Sequence, residues 1–161
     1  MSAMTSVPDP GVAVRLAAAE LLARYADLVD AGDFDGVGEL LAACVVEAPD
    51  GTPIATGREE VAALYASTTR RHADGTPRTA HLVTNVVVVA TGDPDEVEVR
   101  SRFCVLQATD ALPLQPVVAG RYVDRLRRDP DGWAFVRRRM LPELWGDTSE
   151  HLAPRLGPPS S

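Results

Sequence analysis

Two hydrophobic periods divide the chain. From Val12 to Asp30 the apolar positions Val14, Ala18, Leu21, Tyr25 and Leu28 recur at steps of three and four, which places them on one face of a helix. Asp9 or Pro10 offers a start for this helix and Gly32 a stop. The span 33–41 carries Phe34, Val37, Leu40 and Leu41 at similar steps and predicts a short second helix. Residues 44–48 read as a strand, Asp50-Gly51 as a hairpin turn, and 52–55 as the returning strand. Thr56, with Glu59 three residues on, has the form of a capping box and opens a third helix that runs to about Arg71.

Beyond residue 78 the period changes to two. Residues 78–90 form one long Val-rich strand, and Gly92-Asp93-Pro94-Asp95 turns it into a second over 96–108. A loop with Pro113 and Pro116 leads to a third strand over 117–128, and Asp129-Pro130-Asp131-Gly132 turns it into a fourth over 133–141. Helices followed by long antiparallel strands define an α+β fold: three N-terminal helices packed on a curved, mostly antiparallel sheet. A sheet curving over helices makes a cone whose mouth is a natural ligand pocket. Residues 1–10 read as a loose N-terminal arm and 147–161 as a Pro-rich C-terminal tail, so that 1–161 is a single domain.

Composition narrows the chemistry. All 16 basic residues are arginine, so no lysine is present to form a Schiff base or to complete a Walker-type phosphate loop. A net charge of −7 argues against nucleic acid as a partner. No apolar run approaches the length of a membrane span. Residues 1–11 lack the basic and apolar regions of a secretory leader, and only Cys44 and Cys104 are present, which predicts a cytoplasmic protein with reduced thiols. Three scattered histidines and two distant cysteines have no metal-ligand spacing, and no Gly-rich dinucleotide loop follows a strand; neither metal nor cofactor is expected.

Alternation then selects residues for the interior. In the first long strand His81, Val83, Asn85, Val87 and Val89 share a face, read as the inner one. In the next strand Val97, Val99, Ser101, Phe103, Val105 and Gln107 share a face, while Glu96, Glu98, Arg100 and Arg102 lie on the solvated side. His81 can exchange a proton at cellular pH, and as a buried imidazole it is either a base or a core histidine satisfied by backbone. Tyr25 lies on the apolar stripe of the first helix. Asp30 ends that helix, where a negative charge is electrostatically misplaced; it is either a turn aspartate or a functional one. His72 and His151 read as solvated surface, and the run Arg137-Arg138-Arg139 as a solvated face or subunit contact.

Five segments together resemble the SnoaL-like members of the NTF2-like superfamily. They are Tyr25-Ala-Asp-Leu-Val-Asp30-Ala-Gly-Asp33-Phe34-Asp35, Gly57-Arg58-Glu59-Glu60, Arg78-Thr79-Ala80-His81-Leu82-Val83-Thr84-Asn85, Gly120-Arg121-Tyr122-Val123-Asp124, and Gly132-Trp133 before an arginine-ending strand. In order and spacing they span about residues 12–147. The resemblance implies a cone with a deep pocket, often dimerised through the outer sheet face, in a superfamily of polyketide cyclases, dehydratases, ketosteroid isomerases and epoxide hydrolases, together with binding and scaffold members. Its dehydratases imply His81 as base, Asp30 as the carboxylate that orients it and Tyr25 as acid. The sequence departs from them in having Val29 directly before Asp30, no carboxylate in Arg102-Phe103-Cys104, and Gln107 where a second histidine would stand.

The expectation is therefore a cofactor-independent enzyme for dehydration, isomerisation or cyclisation of a small apolar, polyketide- or steroid-like substrate. His81, Asp30 and Tyr25 are its catalytic residues, and Asn85, Gln107, Phe103 and Ser101 contact the substrate. Two alternatives stand beside it: a non-catalytic binding or assembly module with the same cone, and an epoxide hydrolase or cyclase built on a pocket carboxylate, for which Asp30 is the choice. A homodimer is expected from the resemblance.

Overall fold

The computed structural model describes residues 9–153, so the ends of the predicted arm and tail, 1–8 and 154–161, lie outside the described residues. Helix α1 (Val12–Asp30) buries Val14, Ala18, Leu22, Tyr25, Ala26 and Val29, a stripe slightly rotated from the predicted one. It starts at Gly11. Its end is a Schellman turn: Gly32, at φ 70°, donates its N–H to the Val29 carbonyl while the Asp33 N–H reaches Leu28. The chain re-enters a helix at once, because the Asp33 side chain caps α2 (Phe34–Leu40) by accepting from the Gly36 N–H at 2.8 Å.

Strands β1 (Val45–Glu47) and β2 (Pro53–Thr56) form the expected hairpin over Gly51. Helix α3 (Gly57–Thr68) follows without the predicted capping box: Glu60, not Glu59, accepts the Thr56 N–H at 2.8 Å, and the Thr56 side chain caps nothing. The helix stops three residues short of Arg71 because Thr69 is extended and bridges Leu152.

Four long strands complete the sheet: β3 (Thr79–Ala90), β4 (Glu96–Gln107), β5 (Gln115–Asp129) and β6 (Gly132–Trp145). The order is β2-β1-β6-β5-β4-β3, and β1 lies parallel to β6, so the six-stranded sheet is mixed although mostly antiparallel. Three helices on a curved sheet are as the pattern predicts. The β4 alternation also holds: Val97, Val99, Ser101, Phe103, Val105 and Gln107 are all buried.

Alternation fails at two bulges. In β3 the pairing with β4 slips between Thr84 and Val87, where Asn85 adopts φ 54°. The strand then changes parity: Val88 is buried while Val87 is 51% exposed. In β6 the pairing with β5 skips Val136, so Phe135 and Arg138 both face inward. Across the sheet, Gly120 of β5 lies so close to the Leu141 carbonyl that no side chain fits there.

Candidate active site

The mouth of the cone holds a cavity of about 290 Å³, a size that suits a small organic molecule. Its walls are mainly aromatic and aliphatic, with Tyr25, Tyr65, Phe103, Tyr122, Met140 and Trp145 the largest contributors. Among its polar walls are His81, His151 and Glu47.

Asp30 and His81 meet as the end of α1 crosses the start of β3. Asp30 Oδ1 accepts from His81 Nδ1 at 2.6 Å and from Thr79 Oγ1 at 2.6 Å, and Oδ2 accepts from the His81 backbone N–H at 2.8 Å. Burial pushes the Asp30 carboxyl upward, but the bonds from the His81 ring, Thr79 and the His81 N–H together outweigh it and hold the group below its ordinary value. These three donors also account for a carboxylate at the C-terminus of a helix. An ionised Asp30 accepts only, so Nδ1 is the donor, and Nε2 is the ring nitrogen left free to exchange a proton, in a ring whose side chain is 6% exposed.

Tyr25 stands edge-on to His81, with ring centroids 6.4 Å apart. Its hydroxyl shares a 2.8 Å hydrogen bond with the Tyr65 hydroxyl, deep in the wall. Burial raises the pKa of Tyr65 and of Tyr122 well above the usual phenol value, so both stay protonated. Phe103 stacks on Tyr122 at 4.5 Å and forms part of the wall.

The other predicted contact residues do not reach the cavity. Asn85 is exposed at the β3 bulge, which turns it off the inner face. Ser101 is buried beneath the sheet without a hydrogen-bond partner and is absent from the cavity lining. Gln107 is buried as a clamp: its Nε2 donates to the Pro77 carbonyl at 2.9 Å and to the Glu150 carbonyl at 3.0 Å.

That clamp bears on the largest correction. The segment after β6 folds back over the end of α3, with the Arg70 N–H on the His151 carbonyl and the Ala153 N–H on the Thr68 carbonyl. His151, read from the sequence as solvated, is 7% exposed and lines the cavity. Burial, and then the nearby His81, push its pKa down to about 4, against a smaller upward pull from Asp30. Without the clamp the segment loses the bond that Gln107 gives its Glu150 carbonyl, so Gln107→Leu is expected to speed amide exchange at Arg70 and Ala153 up to about tenfold, as hydrogen-exchange NMR would show.

The arginine run is not a solvated face either. Arg138 is fully buried, its guanidinium carbon 3.7 Å from the Tyr25 ring centroid and 4.0 Å from that of Tyr122, with Asp124 as counter-ion at 3.8 Å. Arg139 grips Glu47 through Nε and Nη2 at 2.9 and 2.7 Å, making Glu47 a carboxylate of the cavity wall that the sequence reading did not single out. Tyr65 was also missed, although its spacing of four from Val61 puts both on one face of α3. Among the described residues no group of three His, Cys, Asp or Glu side chains converges as a metal site, and no helix is long and apolar enough to cross a membrane.

A family model described as the SnoaL-like domain matches residues 11–139. No curated protein matches the chain. Solved structures are similar over most of it. A variant of a function-unknown protein from Mycobacterium tuberculosis is 26% identical over 81% of this chain and 70% of its own, with a TM-score of 0.62. An NTF2-like protein with a cystatin-like fold from Novosphingobium aromaticivorans is 26% identical over 80% of this chain and 78% of its own, with a TM-score of 0.60. A protein from the same organism with the provisional designation scytalone dehydratase is 21% identical over 83% of this chain and 87% of its own, with a TM-score of 0.63.

Proposed function

The chain belongs to the SnoaL-like domain family, and on that premise we propose that it is an enzyme that removes a proton next to a carbonyl of a small, largely apolar substrate. The observation that carries this reading is the Asp30–His81 pair at 2.6 Å, whose imidazole stands in the wall of an open aromatic cavity. The family includes dehydratases, cyclases and isomerases, which share such a step.

His81 Nε2 takes the proton. The C–H electron pair forms an enolate, whose oxygen is stabilised by the Tyr25 hydroxyl. The new charge on the imidazole is balanced by Asp30 through Nδ1. From that point His81 can return its proton to another carbon, completing an isomerisation. It can instead give it to a departing β-hydroxyl, which leaves as water. A ring closes where the enolate carbon attacks an internal carbonyl and the proton goes to the resulting alkoxide. The base, its orienting carboxylate and the acid are all side chains of this protein, so the sequence requires no cofactor.

An epoxide-opening reading founded on Asp30 is disfavoured by geometry. Both Asp30 oxygens are engaged with Thr79 and His81, and the carboxylate of the cavity wall is Glu47. The binding-module alternative separates from the enzymatic one in a single assay. Small cyclic β-hydroxyketones are incubated with the protein in D2O and followed by NMR. The expected result is protein-dependent deuterium at the α-carbon, or loss of water. Ketones that bind without either change would refute the enzymatic reading in favour of the binding module.

A further inference from the structure

The C-terminal fold-back does more than cover the cone. It carries an imidazole into the cavity with His81, from a part of the chain that the catalytic reading does not use. We infer that His151 is a substrate-binding residue of the site: a neutral imidazole that donates a hydrogen bond from Nε2 to an oxygen atom of the bound molecule. The inference rests on the reading of the cavity as a substrate site.

Three observations lead there. First, the ring is in the lining and the backbone on each side of it is held, by the His151 carbonyl on Arg70 and by the His151 and Leu152 N–H groups on the Thr148 carbonyl. A side chain placed by so many main-chain bonds is positioned before any ligand arrives. Second, Nδ1 is sealed from solvent and has no partner, so the ring's proton is better placed on Nε2, the nitrogen it can offer to the cavity. Third, the surroundings keep the ring uncharged. The buried site disfavours the imidazolium, His81 opposes it, and the one carboxylate acting on it, Asp30, is already engaged by His81 and Thr79. A neutral imidazole is a poor proton donor in the full sense and a good hydrogen-bond donor to a carbonyl or enolate oxygen. The two histidines thus take opposite parts, since His81 offers a lone pair and His151 an N–H. An apolar cavity gains orientation from each such donor, because the substrate oxygen has few other partners there.

The test uses 2-naphthol as a flat stand-in for an enol, and naphthalene as the same shape without the oxygen. Both are titrated by fluorescence into the full-length protein and its variants. His151→Leu fills nearly the same space without a donor. It is expected to weaken 2-naphthol about tenfold and to leave naphthalene within twofold of wild type. His151→Gln, which restores an N–H at similar reach, is expected to bring 2-naphthol back to within about threefold. Thermal melts show that each variant is folded, and nitrogen-15 NMR of the wild-type ring is expected to report a neutral Nε2–H form at pH 7. An unchanged preference for naphthol over naphthalene in His151→Leu overturns the inference while leaving the His81 assignment intact, as does an imidazolium at pH 7. Failure of both probes to bind wild type removes the substrate-site reading itself, and this inference with it.

Discussion

His81→Gln is expected to lower deuterium exchange at the substrate α-carbon by about two to four orders of magnitude, the usual contribution of a positioned general base. Glutamine keeps a side chain of similar bulk and can still donate to Asp30, so the wall of the cavity is preserved. What it lacks is a basic lone pair at the Nε2 position. Asp30→Asn should fall between this variant and wild type. The base remains, but the amide can offer its N–H to Nδ1 and so favour the tautomer whose proton sits on Nε2, where it blocks the reaction. Tyr25→Phe removes the hydroxyl that meets Tyr65 at 2.8 Å and is expected to reduce exchange less than His81→Gln, because Tyr65 remains in the same wall. The ordering is read from single-turnover exchange rates with melts run alongside. A His81→Gln protein that is folded and exchanges at the wild-type rate removes His81 from the mechanism.

The largest effect on stability is expected from Asp124→Leu. It leaves the Arg138 guanidinium fully buried with no counter-ion, and arginine has no neutral form to retreat to. Breaking a buried pair from one side costs about 3–5 kcal/mol, a fall in Tm on the order of 10 °C for a domain of this size. Arg138→Met is expected to cost less, because the carboxyl left behind can take a proton. Burial already pushes Asp124 up to about 6, against the lowering pull of Arg138, and removing that arginine raises it further. The sign follows directly. A carboxyl whose folded value lies above its unfolded one binds its proton more tightly in the folded state. Arg138→Met should therefore be most stable at low pH and lose stability as pH rises through 6 and beyond. Asp124→Leu should have no such dependence from this position. Replacing both residues with apolar ones is expected to recover most of the loss, as urea denaturation at pH 5 and pH 8 would reveal.

The helices, the turns and the inner face of β4 could be read from the chain because each is set by local chemistry. The Schellman turn needs Gly32, the α2 cap needs Asp33, and β4 alternates without interruption. Asp30 and His81 each stood out singly, as a carboxylate at the wrong end of a helix and an imidazole on a valine face; that the two form a pair was implied by the family resemblance. Errors came where a residue's surroundings are made by distant segments. Asn85 and Arg138 were assigned to the wrong faces because a bulge shifts the parity of each strand, and neither bulge is marked by glycine. Asp124 alternates with Gly120, Tyr122 and Leu126 on the inner face of β5, so that signal was present and unread. No such signal exists for His151. Its burial depends on Gln107, Arg70 and Thr68, none of them within 40 residues.

The parallel pairing of β1 with β6 matters to how the protein is made. Val45 finds its neighbour in Arg137, so the β1–β2 hairpin has no sheet to join until almost the whole domain has left the ribosome. Closing the six-stranded sheet on the nascent chain must wait for that last strand, and the cavity for the fold-back behind it. Until then the β1–β2 hairpin and the outer edge of β5 have no strand to pair with. Nascent chains stalled before β6 are thus the species most exposed to aggregation and most in need of chaperones.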